Sequence, residues 1–332
     1  MARERTGAPA RVGVRALKVA FDTTPLRLTR AGTSRYIHSL LERLDGFEPV
    51  AFGGSNRASV LARELWWYPF RLSALRGADL LHCPTYYGPL RPRVPTVVTV
   101  HDLAVLRHPE TFPAWTRSYV PRIVPSVLRR AARVIAVSEF TAAELETLLR
   151  IPREKIRVVP NAVDHAVFTP DGPRAEGDYV LAVGTIEPRK NLARTIAATA
   201  RLGVELRVAG PPGWGGVDPR GDHVRWLGYV DDAELAALYR GARCFAYPSL
   251  YEGFGIPVLE AMACGAPVVT SRGGACEEVA GGAATLVDPL DVASIAAGIE
   301  AAVAGRGVER AREFTWDETA RRTRAVYEEA AA

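Results

Sequence analysis

The sequence predicts an α/β protein built as two doubly wound, parallel-sheet domains facing a central cleft. Three observations lead there. The 332 residues exceed what one core of ordinary size serves. Short apolar runs alternate with helical stretches along the chain, the pattern of βαβ units, without long internal repeats or low-complexity tracts. A polar, Pro- and Gly-rich segment from Phe168 to Asp178 divides that alternation near its middle and is the best linker. The expected boundaries are 1–168, 169–315 and a terminal helix, 316–332, that crosses back to the first domain.

Composition narrows the class. Hydrophobic residues make up 48% of the chain, enough to fill two cores. No run approaches the ~18 apolar residues of a membrane span. The Arg-containing start lacks the apolar core of a signal peptide, so a cytoplasmic protein is expected. Cys83, Cys244, Cys264 and Cys276 are scattered, without the Cys-x-x-Cys spacing of zinc or redox sites, and are expected to be reduced thiols, most of them buried.

Charge is divided unevenly. Residues 1–164 hold 25 Lys and Arg against 14 Asp and Glu, a net of +11, whereas residues 165–332 hold 17 against 23, a net of −6. The basic half suits an anionic partner. No zinc-finger, helix-turn-helix or RNP pattern supports nucleic acid, which leaves peripheral association with an anionic membrane or simply dispersed surface arginines. Only Lys18, Lys155 and Lys190 are lysines against 39 arginines, so each surviving lysine is a candidate for a role that needs a compact ammonium.

Taken in order, residues 1–15 read as a charged, disordered leader. A first strand begins at Lys18–Phe21. A loop containing Gly32 follows, then a helix from about Ser34 to Leu44. The run Val97–Val100 is a strand that stops at His101-Asp102, where a doubly wound sheet presents ligand-facing residues. Arg133–Val137 is another strand, followed by a helix to about Leu149. The second domain opens with strand Tyr179–Val183 and the loop Gly184–Asn191, which sets Arg189 and Lys190 at a strand-to-helix crossing. An Arg fork, a Lys point charge and free helix amides together match a diphosphate; a solvated basic turn is the plainer alternative. Strands Leu206–Gly210 and Val224–Val230 come next, with Asp231 capping a helix.

The densest stretch is Tyr247–Ser271, in which a strand, a Gly-rich turn, a short helix and another strand follow one another. Gly253 and Gly255 suit close approach of backbone to a ligand, and Pro257 suits the first position of a helix ending before Gly265. Ile256 in front of it offers no capping oxygen, so the helix amides are open to an anion. Glu252 in the turn and Glu260 in the first helical turn are placed to accept sugar or ribose hydroxyls. Glu260 would also favour the helix dipole without any ligand.

The Glu-x7-Glu run enclosing Gly-Phe-Gly-Ile-Pro resembles the donor-site motif of retaining, nucleotide-sugar-dependent glycosyltransferases of family 4, which have the two-domain GT-B fold. Glu187-Pro188-Arg189-Lys190-Asn191 resembles the family's pyrophosphate loop, and Ala31-Gly32-Thr33-Ser34 the glycine loop bordering the donor phosphates. His101-Asp102 resembles its acceptor-domain motif, whose histidine contacts the donor sugar. Pro160-Asn161-Ala162-Val163-Asp164 departs from the family's pattern at Ala162, and Glu277 stands where proline is common before Glu278-Val279.

That resemblance implies His101, Lys190 and Glu252 as catalytic residues. It implies a donor site of Gly32, Arg189, Lys190, Tyr229, Val230, Glu252, Gly253, Phe254, Gly255, Ile256 and Glu260. No Asp-x-Asp occurs, so no metal and no other cofactor is expected. The loops look most like those of bacterial mannosyltransferases of polysaccharide assembly. The expected partners are therefore a nucleotide sugar, GDP-mannose first and a UDP-sugar next, and a glycan or lipid-linked acceptor. A nucleotide-sugar epimerase on the same fold and a non-enzymatic scaffold are the alternatives.

Overall fold

The computed structural model describes residues 17–27, 32–53, 57–216, 218 and 220–332. The leader expected at 1–15 lies outside them. The first sheet contains β1 (Val19–Asp22), β2 (Phe47–Val50), β3 (Leu80–Cys83), β4 (Thr96–Val100), β5 (Arg133–Ala136) and β6 (Ile156–Val158), all parallel, in the order β2-β1-β3-β4-β5-β6. The second contains β7 (Tyr179–Val183), β8 (Glu205–Ala209), β9 (Val224–Gly228), β10 (Cys244–Tyr247), β11 (Val268–Ser271) and β12 (Thr285–Val287), also parallel, in the order β12-β11-β10-β7-β8-β9.

The helices of the first unit are α1 (Gly32–Arg43), α2 (Arg57–Ala62), α3 (Ala104–Arg107), α4 (Ala114–Arg130) and α5 (Glu139–Leu149). Those of the second are α6 (Leu192–Leu202), α7 (Asp232–Gly241), α8 (Ile256–Ala263), α9 (Gly274–Ala280), α10 (Val292–Ala301) and α11 (Gly307–Arg312), with α12 (Trp316–Ala331) at the end. The central strands β1, β3, β4, β10 and β11 are buried at every residue, as parallel strands covered on both faces must be. Each fully buried Val, Leu, Ile or Phe contributes about 1.5–3 kcal/mol, so these strands anchor the two cores.

α12 packs on the first sheet. Its Trp316, Ala320, Val326 and Tyr327 share a core with Tyr36, Ile37 and Leu40 of α1 and Phe21 of β1. A buried polar chain runs through the same place: Tyr327 Oη lies 2.6 Å from His82 Nδ1, His82 Nε2 2.9 Å from Thr99, and Thr99 3.0 Å from Tyr36 Oη. Burial lowers the His82 pKa to about 3, so this imidazole bonds as a neutral ring. The four cysteines are free and buried. Among the described residues no helix is long and apolar enough to cross a membrane.

Candidate active site

In the second sheet β7 lies beside β10, while the chain leaves β7 for β8 on one side and β10 for β11 on the other. Strand order reverses between these two neighbours, and open α/β sheets form a ligand crevice beyond such a point. The loop after β7 delivers Arg189 and Lys190, and the loop after β10 delivers Glu252. Lys190 Nζ donates to Glu252 Oε1 at 2.7 Å and to Tyr247 Oη at 2.6 Å. Arg189 donates to Glu252 Oε2 at 3.1 Å, to Glu187 at 2.7 Å and to the Tyr251 carbonyl at 3.1 Å. Burial works to raise the Glu252 pKa, but the two cations and the Tyr247 hydroxyl overcome it and hold the carboxylate at about 2.

The local sequence explains the convergence. Gly184, at φ +133°, turns the chain out of β7, and a Cβ there would lie 3.3 Å from Lys190 Cε, so the missing side chain makes room for the lysine stem. Asn191 adopts a left-handed conformation and its amide donates to the carbonyls of Pro248 (2.9 Å) and Pro289 (2.6 Å). Leu250 N–H donates to Arg189 O at 2.8 Å. The two loops are therefore stitched to each other through backbone as well as through the ion cluster.

The first domain closes on this cluster. A Cβ on Gly253 would stand 1.7 Å from the His101 carbonyl oxygen and 2.8 Å from Asp102 Cβ. The Gly253 carbonyl accepts from Ser138 Oγ (2.7 Å) and Thr141 Oγ1 (3.0 Å) at the start of α5. The absence of a side chain at Gly253 thus serves the approach of the two domains. Glu278 of α9 accepts from the N–H groups of Glu139 and Phe140, both at 2.8 Å, and so caps α5 from the other domain.

His101 sits 3.0 Å from the Pro84 carbonyl through Nε2, and its ring meets Tyr36 edge to face at 4.9 Å. Burial lowers its pKa. A carbonyl only accepts, so the neutral ring carries its proton on Nε2 and leaves Nδ1 as an acceptor. Asp102 stands 4.0 Å from Arg189, tying the His-Asp pair to the charged cluster.

Glu260 has a different neighbourhood from the one expected. α8 begins at Ile256, one residue early, with Gly255 as N-cap at φ +101° and Pro257 in its first turn, so Glu260 falls in the second turn. The Ile256 position is helical because Gly255 makes the left-handed turn that admits the chain. The Glu260 carboxylate is buried and paired with the Arg35 guanidinium, whose other nitrogen reaches Asp232 at 2.7 Å; Tyr239 Oη donates to it at 3.2 Å. Burial raises the Glu260 pKa, against the pull of Arg35. Gly32 is the first residue of α1, not part of a preceding loop, and a Cβ there would touch Ile256 Cδ1 at 3.3 Å. The starts of α1 and α8 therefore face each other across the cleft.

Three expected donor residues stand apart. Tyr229 is 71% exposed in the turn after β9, and Val230 packs against the second core. Phe254 is turned into that core, edge to face with Phe314 at 5.9 Å, because the apolar ring gains more there than in the cleft. Arg35, Asp232, Tyr247, Ser138 and Thr141 were not singled out in the sequence. Tyr247, at the end of a buried strand beside the Glu252 turn, carried the one usable signal; the others come together only through the pairing of domains.

Beside Arg189 a cavity of about 510 Å³ opens between the domains, lined by His108, Glu110, Phe112, Pro188, Trp214 and Leu250 among others. Trp214 Nε1 donates to the Thr111 carbonyl at 2.6 Å and so bridges its rim.

Residues 168–322 match the family described as glycosyl transferases group 1, and residues 40–167 match glycosyltransferase family 4. The O-antigen chain mannosyltransferase B of Escherichia coli is 34% identical, over 94% of this chain and 99% of its own length. An MMP alpha-(1->4)-mannosyltransferase of Mycolicibacterium hassiacum is 32% identical over 72% of this chain and 66% of its own. Among solved structures, sucrose-phosphate synthase from Thermosynechococcus elongatus superposes with a TM-score of 0.73 at 20% identity, covering 93% of this chain and 98% of that one. Anabaena HepE, solved with UDP and glucose, gives 0.71 at 18% identity with coverage of 93% and 98%. These two likenesses bear on the fold alone, and the fold is GT-B. With both halves matched in turn and a relative 34% identical over nearly its whole length, the chain belongs to glycosyltransferase family 4 and is a glycosyltransferase.

Proposed function

We propose that the enzyme transfers mannose from GDP-mannose, with retention of anomeric configuration and without a metal, to a glycan or lipid-linked acceptor. The observation that carries the reading is the convergence of Arg189 and Lys190 on Glu252 at the strand-order reversal of the second sheet. Two cations on one short loop can neutralise a leaving diphosphate where its charge develops. The start of α8 has no side-chain cap, so its N–H groups and partial positive charge can add to theirs. Arg189 Nε and Ser249 Oγ are buried without protein partners beside the same loops. In this reading Glu252 exchanges its cation contacts for donor hydroxyls, and His101 Nδ1 accepts from a hydroxyl of the transferred sugar.

Mannose is favoured because mannosyltransferases are among the relatives at 28–34% identity. In this reading the enzyme works in the cytoplasm, at a membrane face that presents the acceptor. The test is thermal denaturation with GDP-mannose, UDP-glucose, GDP and UDP, each with and without EDTA. GDP-mannose at one hundred times its Kd adds about 2.7 kcal/mol to stability, a clear rise in Tm. Selective stabilisation by UDP-glucose overturns the donor, and loss of the GDP-mannose shift in EDTA overturns metal independence.

A further inference from the structure

The stretch from Leu61 to Arg71 buries two charged residues and exposes four large apolar ones, while Tyr68 and Pro69 of the same stretch stay buried. It continues α2 as a π-helix over Arg63–Arg71. Arg63 and Glu64 face inward at 7% and 5% exposure, whereas Leu61, Leu65, Trp66 and Phe70 face outward at 43%, 51%, 53% and 63%. A surface helix of a globular domain places these classes the other way round. The inversion has a local cause. Glu64 accepts from Trp115 Nε1, the Glu64 carbonyl accepts from Tyr119 Oη at 2.7 Å, and Arg63 pairs with Glu64 at 3.4 Å. The i→i+5 geometry then sets Leu65 and Phe70, five apart, on one face.

The contact through Trp115 and Tyr119 lays α4 alongside. That helix adds exposed Trp115 and, one turn beyond Tyr119 on the same side, exposed Arg122, and Arg71 ends the apolar stripe itself. Residues 1–164, the segment of sequence to which this stretch belongs, carry a net charge of +11. Exposed Leu, Trp and Phe rimmed by arginines fit the boundary layer of an anionic bilayer, where apolar side chains enter the acyl region and cations meet headgroups.

We propose that Leu61, Leu65, Trp66 and Phe70, flanked by Arg71 and Arg122, form the face by which the enzyme docks on an anionic lipid surface. This deepens the reading of a membrane-presented acceptor, but it stands on its own contacts and is tested without any transfer reaction. The full chain is sedimented with vesicles of phosphatidylcholine alone and of phosphatidylcholine with phosphatidylglycerol, at low and high salt. Binding to the anionic vesicles at low salt, weakened by salt, is expected, because exposed charge pairs are screened.

Replacement of Trp66 and Phe70 by Ser should lower the vesicle partition coefficient about tenfold or more while leaving donor-induced thermal shifts unchanged, since these residues lie outside the cleft. Equal binding of wild type and W66S/F70S, or no anionic preference at low salt, overturns the proposal. So does a wild-type dimer that the same pair of substitutions makes monomeric, since the apolar stripe would then be a protein interface. Failure of every nucleotide sugar to stabilise the protein would instead count against the transferase reading and leave the docking result standing.

Discussion

The backbone of Gly253 lies so close to His101 that a single added carbon would stand 1.7 Å from the His101 carbonyl oxygen. The two residues come from different domains, and the Gly253 carbonyl is further held by Ser138 and Thr141. Gly253→Ala must therefore push the domains apart. We expect a cost of about 1–3 kcal/mol to the closed arrangement, as for other overpacked contacts. Small-angle scattering should show a larger radius of gyration and kcat should fall more than tenfold. An unchanged envelope with normal turnover would contradict the contact.

Lys190 and Glu252 make the second prediction. Lys190→Ala should lower kcat/KM about 10²–10³-fold, the usual loss when one stabilising charge leaves a developing anion. Lys190→Arg should recover only part, because a planar fork does not fit the 2.6 and 2.7 Å contacts of a single ammonium with Tyr247 and Glu252. Steady-state kinetics on folded protein, checked by circular dichroism, decides it. Near-normal turnover in the alanine variant removes Lys190 from the chemistry.

Arg35 supplies a third. Its removal leaves the buried Glu260 carboxylate with Tyr239 alone. Breaking a buried pair costs about 3–5 kcal/mol, reduced here to about 1–3 because the Arg35 side chain is 30% exposed. Adding Glu260→Gln should restore much of the loss. A double-mutant cycle by urea denaturation measures this coupling, and strict additivity would show that the pair does not interact.

A fourth concerns Asp22 at the end of β1. It is wholly buried, and burial raises its pKa from 3.8 to about 6 against the pull of Thr24, Tyr68 and Arg63. The folded protein holds this proton more tightly than the unfolded chain does. Its contribution is therefore complete below pH ~4 and is lost as pH rises to about 6, a change of about 3 kcal/mol. Asp22→Asn removes the titration, so its Tm relative to wild type should climb between pH 4 and pH 7 and then level off. A constant difference across that range would show that Asp22 stays ionised.

Much of this protein was legible in the order of its residues. Buried parallel strands need continuous apolar runs, so Val97–Val100 and Tyr179–Val183 declared themselves. Arg189, Lys190 and Glu252 could be placed at the ends of their strands because loops that short leave little freedom in where they lead. What the linear pattern could not carry was anything depending on how one domain meets the other. Nothing along the chain showed that His101 lies against Gly253, and Glu260 looked free until Arg35, 225 residues away in sequence, was found to occupy it. Phe254, inside the motif, went to the core. The orientation of Arg63 and Glu64 was hidden too, because hydrophobic periodicity assigns charge to solvent and only the tertiary contacts of Trp115 and Tyr119 reverse it. Sequence determined the elements and the chemistry at their ends, since both follow from neighbours along the chain. Tertiary structure decided which of those groups are partnered, since a charge or an apolar ring settles against whatever the folded chain brings within a few ångströms.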